Sequence, residues 1–259
     1  MENYKGHFIF GFKSRKKMFL KSDCISTNMN KISTGSELLD EFVGGYETDI
    51  ITTIFGPAGS GKTNLSLLCA IKIAKNKKVI YIDTEGGFSI ERLKQLTNEY
   101  EKVLNNMLIF KPTTFEEQET ALRKIRSMIN SKIGLIVVDT ISMLYRLELG
   151  TTDEVFETNR ILGRQLAMLS EISRKKNIPV LLTNQVYADF QEKDKIHMVG
   201  GDLLKYGSKC LIELQKTPEG NRRAILKKHR NMAEEKEVLF KIVEKGIIKT
   251  KEGKGFRLF

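Results

Sequence analysis

Hydrophobic and polar positions along this chain alternate between two rhythms. From Ile50 to Thr183, apolar runs of strand length trade places with stretches of helical period. The strand-like runs are Ile50–Phe55, Lys78–Thr84, Met107–Phe110, Leu135–Asp139 and Pro179–Thr183. Between them, Asn64 to Lys75 reads as a helix, and so does Ser89 to Val103 with Ser89 as its cap. A capping box, Thr114-Phe115-Glu116-Glu117, opens a helix to about Asn130. A long helix from Asp153 to Lys176 carries Val155, Leu162, Leu166, Leu169 and Ile172 on one stripe, read as core. From Gly207 the rhythm changes. Segments 208–215, 222–229 and 237–243 are strand-like, separated by turn signals at Pro218-Glu219-Gly220-Asn221 and at Asn231 to Glu235. Ahead of all this, Ile32 to Asp40 pairs a turn with a short amphipathic helix that Gly44-Gly45 ends. The expected fold is α/β: a doubly wound, mostly parallel sheet over 31–259, with antiparallel C-terminal strands.

Residues 1–30 show no sustained period and read as a basic N-terminal arm, either disordered or an extension ahead of a later start at Met18 or Met29. The 259 residues, 41% of them hydrophobic, suit one core domain with such an arm. No apolar run approaches the roughly 20 residues that span a bilayer. The apolar patch Phe8–Phe12 is too short for a signal peptide and is followed by Lys13, Arg15, Lys16 and Lys17. Cys24, Cys69 and Cys210 lack metal-ligand spacing, and a cytoplasmic, reducing compartment is expected. The net charge of +11 is uneven: residues 1–30 hold 6 Lys and Arg against 2 acids, and 222–259 hold 12 against 5. Such basic ends suit an anionic partner, nucleic acid first, or else a solvated Lys/Glu surface with no partner.

The chemistry centres on Gly56-Pro57-Ala58-Gly59-Ser60-Gly61-Lys62-Thr63, which fits G-x-x-x-x-G-K-[ST] between a strand and a helix. Glycines let backbone N–H groups curl around phosphate oxygens, and the helix N-terminus adds donors and its positive end. Lys62 reaches the β- and γ-phosphates, and the Thr63 hydroxyl ligates Mg²⁺. In open α/β sheets, ligands sit beyond the carboxyl ends of the strands, where Glu85, Asp139 and Gln185 also fall. Asp139, after Leu135-Ile136-Val137-Val138, has the position of a Walker B aspartate. Glu85 either activates the attacking water or serves as a structural turn residue. Gln185 either bonds the γ-phosphate or caps its strand.

Tyr81-Ile82-Asp83-Thr84-Glu85-Gly86, with Phe88, Glu91, Arg92 and Leu93, resembles the second-strand signature of the RecA-type recombinases, in their Rad51/RadA branch. Leu135 to Asp139, Tyr145-Arg146, Leu182-Thr183-Asn184-Gln185-Val186 and Gly200-Gly201 continue the likeness across about residues 31–250. Leu226-Lys227-Lys228-His229-Arg230, followed by Val238 to Ile242, is most similar to the short archaeal members that consist of the core alone. The resemblance implies a RecA-type P-loop ATPase core with ATP on Gly56–Thr63, Mg²⁺ on Thr63 and Asp139, and Glu85 activating water. It implies Arg92 stacked on adenine, since a flat guanidinium offers a π-face, and Gln185 sensing the γ-phosphate. Lys228-His229-Arg230 is similar to the Lys-x-Arg finger presented to a neighbouring protomer. Lys227, Lys228 and Arg230 are therefore candidate trans or DNA contacts, the alternative being a solvated edge.

Departures from the family pattern shape the expected activity. No helix-hairpin-helix module is expected ahead of the core, and no Phe-x-x-Ala tether is evident. The first DNA-binding loop, Leu147-Glu148-Leu149-Gly150-Thr151-Thr152-Asp153-Glu154, is net negative. The second, Tyr187 to Val199, balances Lys193 and Lys195 against Asp189, Glu192 and Asp194. Phosphate affinity grows with the cations engaged, so these loops are expected to hold a strand weakly. The resemblance thus implies a DNA-binding accessory factor in homologous recombination and repair, a weak ATPase, with or without DNA dependence, that lacks efficient strand exchange. Its implied partners are single-stranded or branched DNA and a RadA-type recombinase or Holliday-junction resolvase, with the chain a monomer or small homo-oligomer. Three alternatives stay open: a KaiC-like regulatory ATPase acting on proteins, an active strand-exchange recombinase, and a scaffold that binds ATP without meaningful turnover.

Overall fold

The computed structural model describes residues 31–150, 152–188 and 196–250; the arm 1–30 and the centre of the second loop lie outside them. Strands β1 (Lys31–Ile32) and β2 (Tyr46–Glu47) pair antiparallel around helix α1 (Glu37–Val43). Then β3 (Ile51–Phe55) feeds α2 (Lys62–Ala74), and β4 (Lys78–Asp83) feeds α3 (Ile90–Leu96) and α4 (Tyr100–Asn105). Strand β5 (Met107–Phe110) feeds α5 (Phe115–Met128), and β6 (Ile133–Asp139) feeds α6 (Met143–Leu147) and α7 (Thr152–Lys176). After β7 (Val180–Asn184) comes a small hairpin, β8 (Val186–Ala188) and β9 (Ile196–Met198), and then α8 (Gly201–Gly207). The described chain closes with β10 (Cys210–Lys216), β11 (Arg222–His229), β12 (Glu237–Val243) and β13 (Gly246–Lys249).

These strands build a nine-stranded sheet in the order β13-β12-β11-β10-β3-β7-β6-β4-β5. From β10 to β5 neighbours run parallel, and from β10 to β13 antiparallel, as the change of rhythm after Gly207 predicts. The continuous apolar runs of the parallel strands are explained by burial on both faces. Tyr81 and Val137 pack toward the α2 side, while Ile80, Ile82, Ile136 and Val138 pack toward α5 and α7. Leu162, Leu166, Leu169 and Ile172 of the α7 stripe are buried in that second layer and are core rather than interface, while Val155 at the start of the stripe is only half-buried. Cys69 and Cys210 are buried in the first layer. Among the described residues, no helix is long and apolar enough to cross a membrane.

Two helix starts form as their caps predict. Ser89 Oγ accepts from Arg92 N at 3.1 Å, and Thr114 Oγ1 accepts from Glu117 N at 3.1 Å. The helix expected over Ser89–Val103 breaks in two, because Thr97 turns extended (φ −155°, ψ 138°) and its Oγ1 accepts from Glu99 N. A threonine hydroxyl that bonds the backbone two residues on competes with helix continuation. Helices α6 and α8, the β8–β9 hairpin and β13 carry too few residues to show a period and are seen only in the fold.

Candidate nucleotide site

The phosphate loop bridges the carboxyl end of β3 and the start of α2. Gly56 has φ +155°, and a Cβ there would stand 2.3 Å from the carbonyl oxygen of Leu214, so the loop passes against β10 where no side chain fits. Gly61 caps α2 with φ +106°, its bare Cα facing Ile242 of β12. The Lys62 ammonium is bonded to the carbonyl oxygens of Gly56 (2.9 Å) and Pro57 (3.0 Å). Burial pushes its pKa below the ordinary lysine value, against the pull of Glu85 and Asp139.

The carboxylates that the sequence placed at strand ends converge on this loop. Asp139 ends β6 only 1% exposed, accepting hydrogen bonds from Tyr81 Oη at 2.8 Å and from the Thr183 hydroxyl. Burial raises its pKa, opposed by the bonds from Thr183, Tyr81 and Thr63. Both shifts come from burial, which penalises the charged form of each group. Phosphate oxygens would supply Lys62 with its anion, and Mg²⁺ would supply Asp139 with its cation. One hydroxyl and one carboxylate suit a metal that keeps several waters and takes its other ligands from phosphate.

Glu85 sits on the exposed turn after β4, and the turn is built to hold it. Buried Asp83 accepts from Gly87 N (3.0 Å) and Phe88 N (3.1 Å). Thr84 Oγ1 donates to Thr140 O at 2.8 Å and accepts from Thr140 N at 2.9 Å. Glu85 Oε1 accepts from Gln185 Nε2 at 2.7 Å and from Thr140 Oγ1 at 3.1 Å. Two residues 100 positions apart in sequence, each singled out as a strand-end candidate, therefore touch. Gln185 is tied onward as well. Its backbone carbonyl accepts from Val199 N at 3.0 Å, and the Asn184 amide donates to Val199 O at 3.0 Å. The strand end at β7 is thereby fastened to the far side of the β8–β9 hairpin.

A cavity of about 490 Å³ opens among Lys62, Thr63, Asn64, Glu85 and Gln185, with Arg146, Arg222 and Ile242 on its other walls. Arg92 does not line it. Its Nε donates to Asn64 Oδ1 (2.8 Å), and its terminal nitrogens donate to Gln95 Oε1, Glu244 O and Val243 O. With its edge so engaged, only the flat face of the guanidinium is left to meet a ring. The basic strand end is bound within the chain. Lys228 Nζ donates to Lys205 O (2.7 Å) and Ser208 O (2.8 Å), and Lys227 pairs with Glu235 at 2.6 Å. Arg230 grips Asp49 through two nitrogens and sets its Nε 2.7 Å from Oε2 of buried Glu47. Sequence reasoning assigned no role to Thr140, Arg146 or Arg222. Thr140 follows β6, Arg146 lies on α6 and Arg222 opens β11, and only the packed fold brings the three together.

Fold and site together define a RecA-type nucleotide-binding core. The Rad51 family profile matches residues 26–250. The chain is 43% identical to the DNA repair and recombination protein RadB of Methanobrevibacter smithii over 227 residues, covering 85% of this chain and 96% of that one. It is 44% identical to the protein of the same name from Methanocaldococcus jannaschii over 214 residues, 81% and 98% of the two chains. The crystal structure of a RadB recombinase superposes with a TM-score of 0.73 at 37% identity, covering 85% of this chain and 99% of the other. The chain belongs to the Rad51 family, in its RadB branch.

Proposed function

We propose that this chain is an ATP-switched accessory factor of homologous recombination and DNA repair, a slow Mg²⁺-dependent ATPase whose nucleotide state alters its grip on DNA. The observation that carries this reading is the 2.7 Å bond between Glu85 and Gln185. Glu85 faces the phosphate loop as the candidate base, and Gln185 is fastened through Val199 to the loop expected to meet DNA. A γ-phosphate competing for the Gln185 amide would break that bond and bias the hairpin, which is a differential interaction of the kind a switch needs. Exposed Tyr187 stacks on His197 at 5.6 Å across the hairpin and offers bases an aromatic face. The repair and recombination role itself is supported by the names of the relatives. A RadA-type recombinase or a Holliday-junction resolvase remains the partner this reading favours.

Slow turnover follows if the completed active site needs a neighbour, since a finger arginine supplied in trans is worth about 10³-fold or more. Arg230 and Lys228 are already engaged inside the chain, which weighs against the finger role, the feature of this sequence that keeps the KaiC-like alternative open.

Fluorescence anisotropy on labelled single- and double-stranded oligonucleotides, with and without Mg²⁺-ATP across a salt series, tests the proposal. Salt-sensitive binding that shifts several-fold with ATP is expected, with a shallow log–log slope reporting few engaged phosphates. Gln185→Ala should keep ATP binding and nucleotide-free DNA affinity but lose the ATP-linked shift. Absence of binding at low salt would remove the direct DNA role and leave a protein-directed ATPase.

A further inference from the structure

We infer that Arg222, with Lys216 opposite it, forms a second phosphate-binding element that this chain supplies to its own nucleotide in cis. The inference rests on the cavity being the ATP site proposed above. Lys216 ends β10 and Arg222 begins β11, and the two are direct partners in the antiparallel ladder. Directly opposed residues share a face, so two cations stand side by side there, an arrangement that costs stability unless an anion answers it. Among the described residues, neither forms an ion pair with a carboxylate. A third cation, Lys62, lies close enough for Lys216 to disfavour its charge.

Position argues the same way. Lys216 Nζ lies 3.3 Å from where a Cβ on Gly59 would stand, directly on the phosphate loop. Arg222 lines the same cavity as Lys62, Thr63, Glu85 and Gln185. One terminal nitrogen of Arg222 donates to Gly220 O (2.8 Å) and Asn221 O (3.1 Å), which fixes the guanidinium on its hairpin. Its Nε is buried and has no hydrogen-bond partner among the described residues. A buried donor without an acceptor carries a desolvation cost that a phosphate oxygen would remove, and a charged donor makes the stronger bond. The arginine is thus preorganised by its own turn, with an N–H in reserve. Unlike a trans finger, it needs no neighbouring protomer.

The test is titration of the full chain with mant-ATP, mant-ADP and mant-AMP, at two protein concentrations tenfold apart. The proteins compared are the wild type, Arg222→Gln, Arg222→Lys, Lys216→Met and Lys62→Ala. Arg222→Gln is expected to weaken mant-ATP by about tenfold, the worth of one charge-assisted bond, and mant-AMP by less than about twofold. Arg222→Lys should recover part of the loss, Lys216→Met should lose in the same order ATP over AMP, and none of these should depend on protein concentration. Equal losses for all three nucleotides would mark Arg222 as a hairpin brace and overturn the inference. So would unchanged ATP affinity in Arg222→Gln while Lys62→Ala loses it, a result that leaves the nucleotide site intact. A wild type that binds none of the nucleotides overturns both this inference and the ATP-site reading beneath it.

Discussion

Replacing Glu85 with glutamine should lower ATP turnover by about 10²- to 10⁴-fold, the range expected when a positioned general base is removed. Binding of Mg²⁺-ATP should hardly change. The carboxylate contacts Gln185 and Thr140 rather than the phosphate loop, and an amide of the same shape can still accept from both. What glutamine cannot do is take a proton from water. Single-turnover phosphate release separates this from binding, measured in parallel by mant-ATP titration. If turnover in Glu85→Gln equals that of the wild type, Glu85 is only a bracket for Gln185 and Thr140, and water is activated elsewhere.

Arg230→Ala should destabilise the fold by about 3 kcal/mol, seen as a fall of roughly 10 °C in Tm. Glu47 is 1% exposed, and the loss of Arg230 leaves its carboxylate buried without its cation. The lower end of the range for a broken buried pair applies because Arg230 itself is 32% exposed. The pH dependence has a definite sign. Hydrogen bonds from Arg230 hold the Asp49 carboxyl below its ordinary 3.8. A carboxyl depressed in the folded state adds stability above its unfolded pKa and loses it as pH falls through the folded value. The wild type therefore sheds this contribution in acid, and the gap between it and Arg230→Ala narrows below about pH 4. An unchanged Tm with a turnover defect that depends on protein concentration would instead restore the finger role in trans.

How much could be read from residues alone depended on the range of the interactions involved. The phosphate loop was legible because its chemistry is local. A strand, a glycine-rich turn and a helix start lie within about two dozen residues, and each glycine answers a nearby backbone demand. Asp139, Glu85 and Gln185 were legible as strand-end residues, since apolar runs announce buried strands and ligands gather beyond their carboxyl ends. The break at Thr97 was not legible, because a threonine inside a helical period reads as helix until its hydroxyl is seen bonding Glu99 N. Arg230 pointed outward in sequence as half of a Lys-x-Arg pair. It turned inward in the fold because Glu47 of β2 and Asp49 just after that strand lie beside it.

The sequence by itself determined the order of strands and helices, the phosphate loop, the family likeness and the short list of strand-end polar groups. All of these are set by neighbours along the chain, through periodicity and turn chemistry. The tertiary structure alone decided that Glu85 bonds Gln185, that Arg92 and Arg230 are held by partners within the chain, and that Lys216 and Arg222 face the phosphate loop. Those contacts depend on which strands lie side by side and in what register, and register is a property of the packed sheet that no local pattern carries.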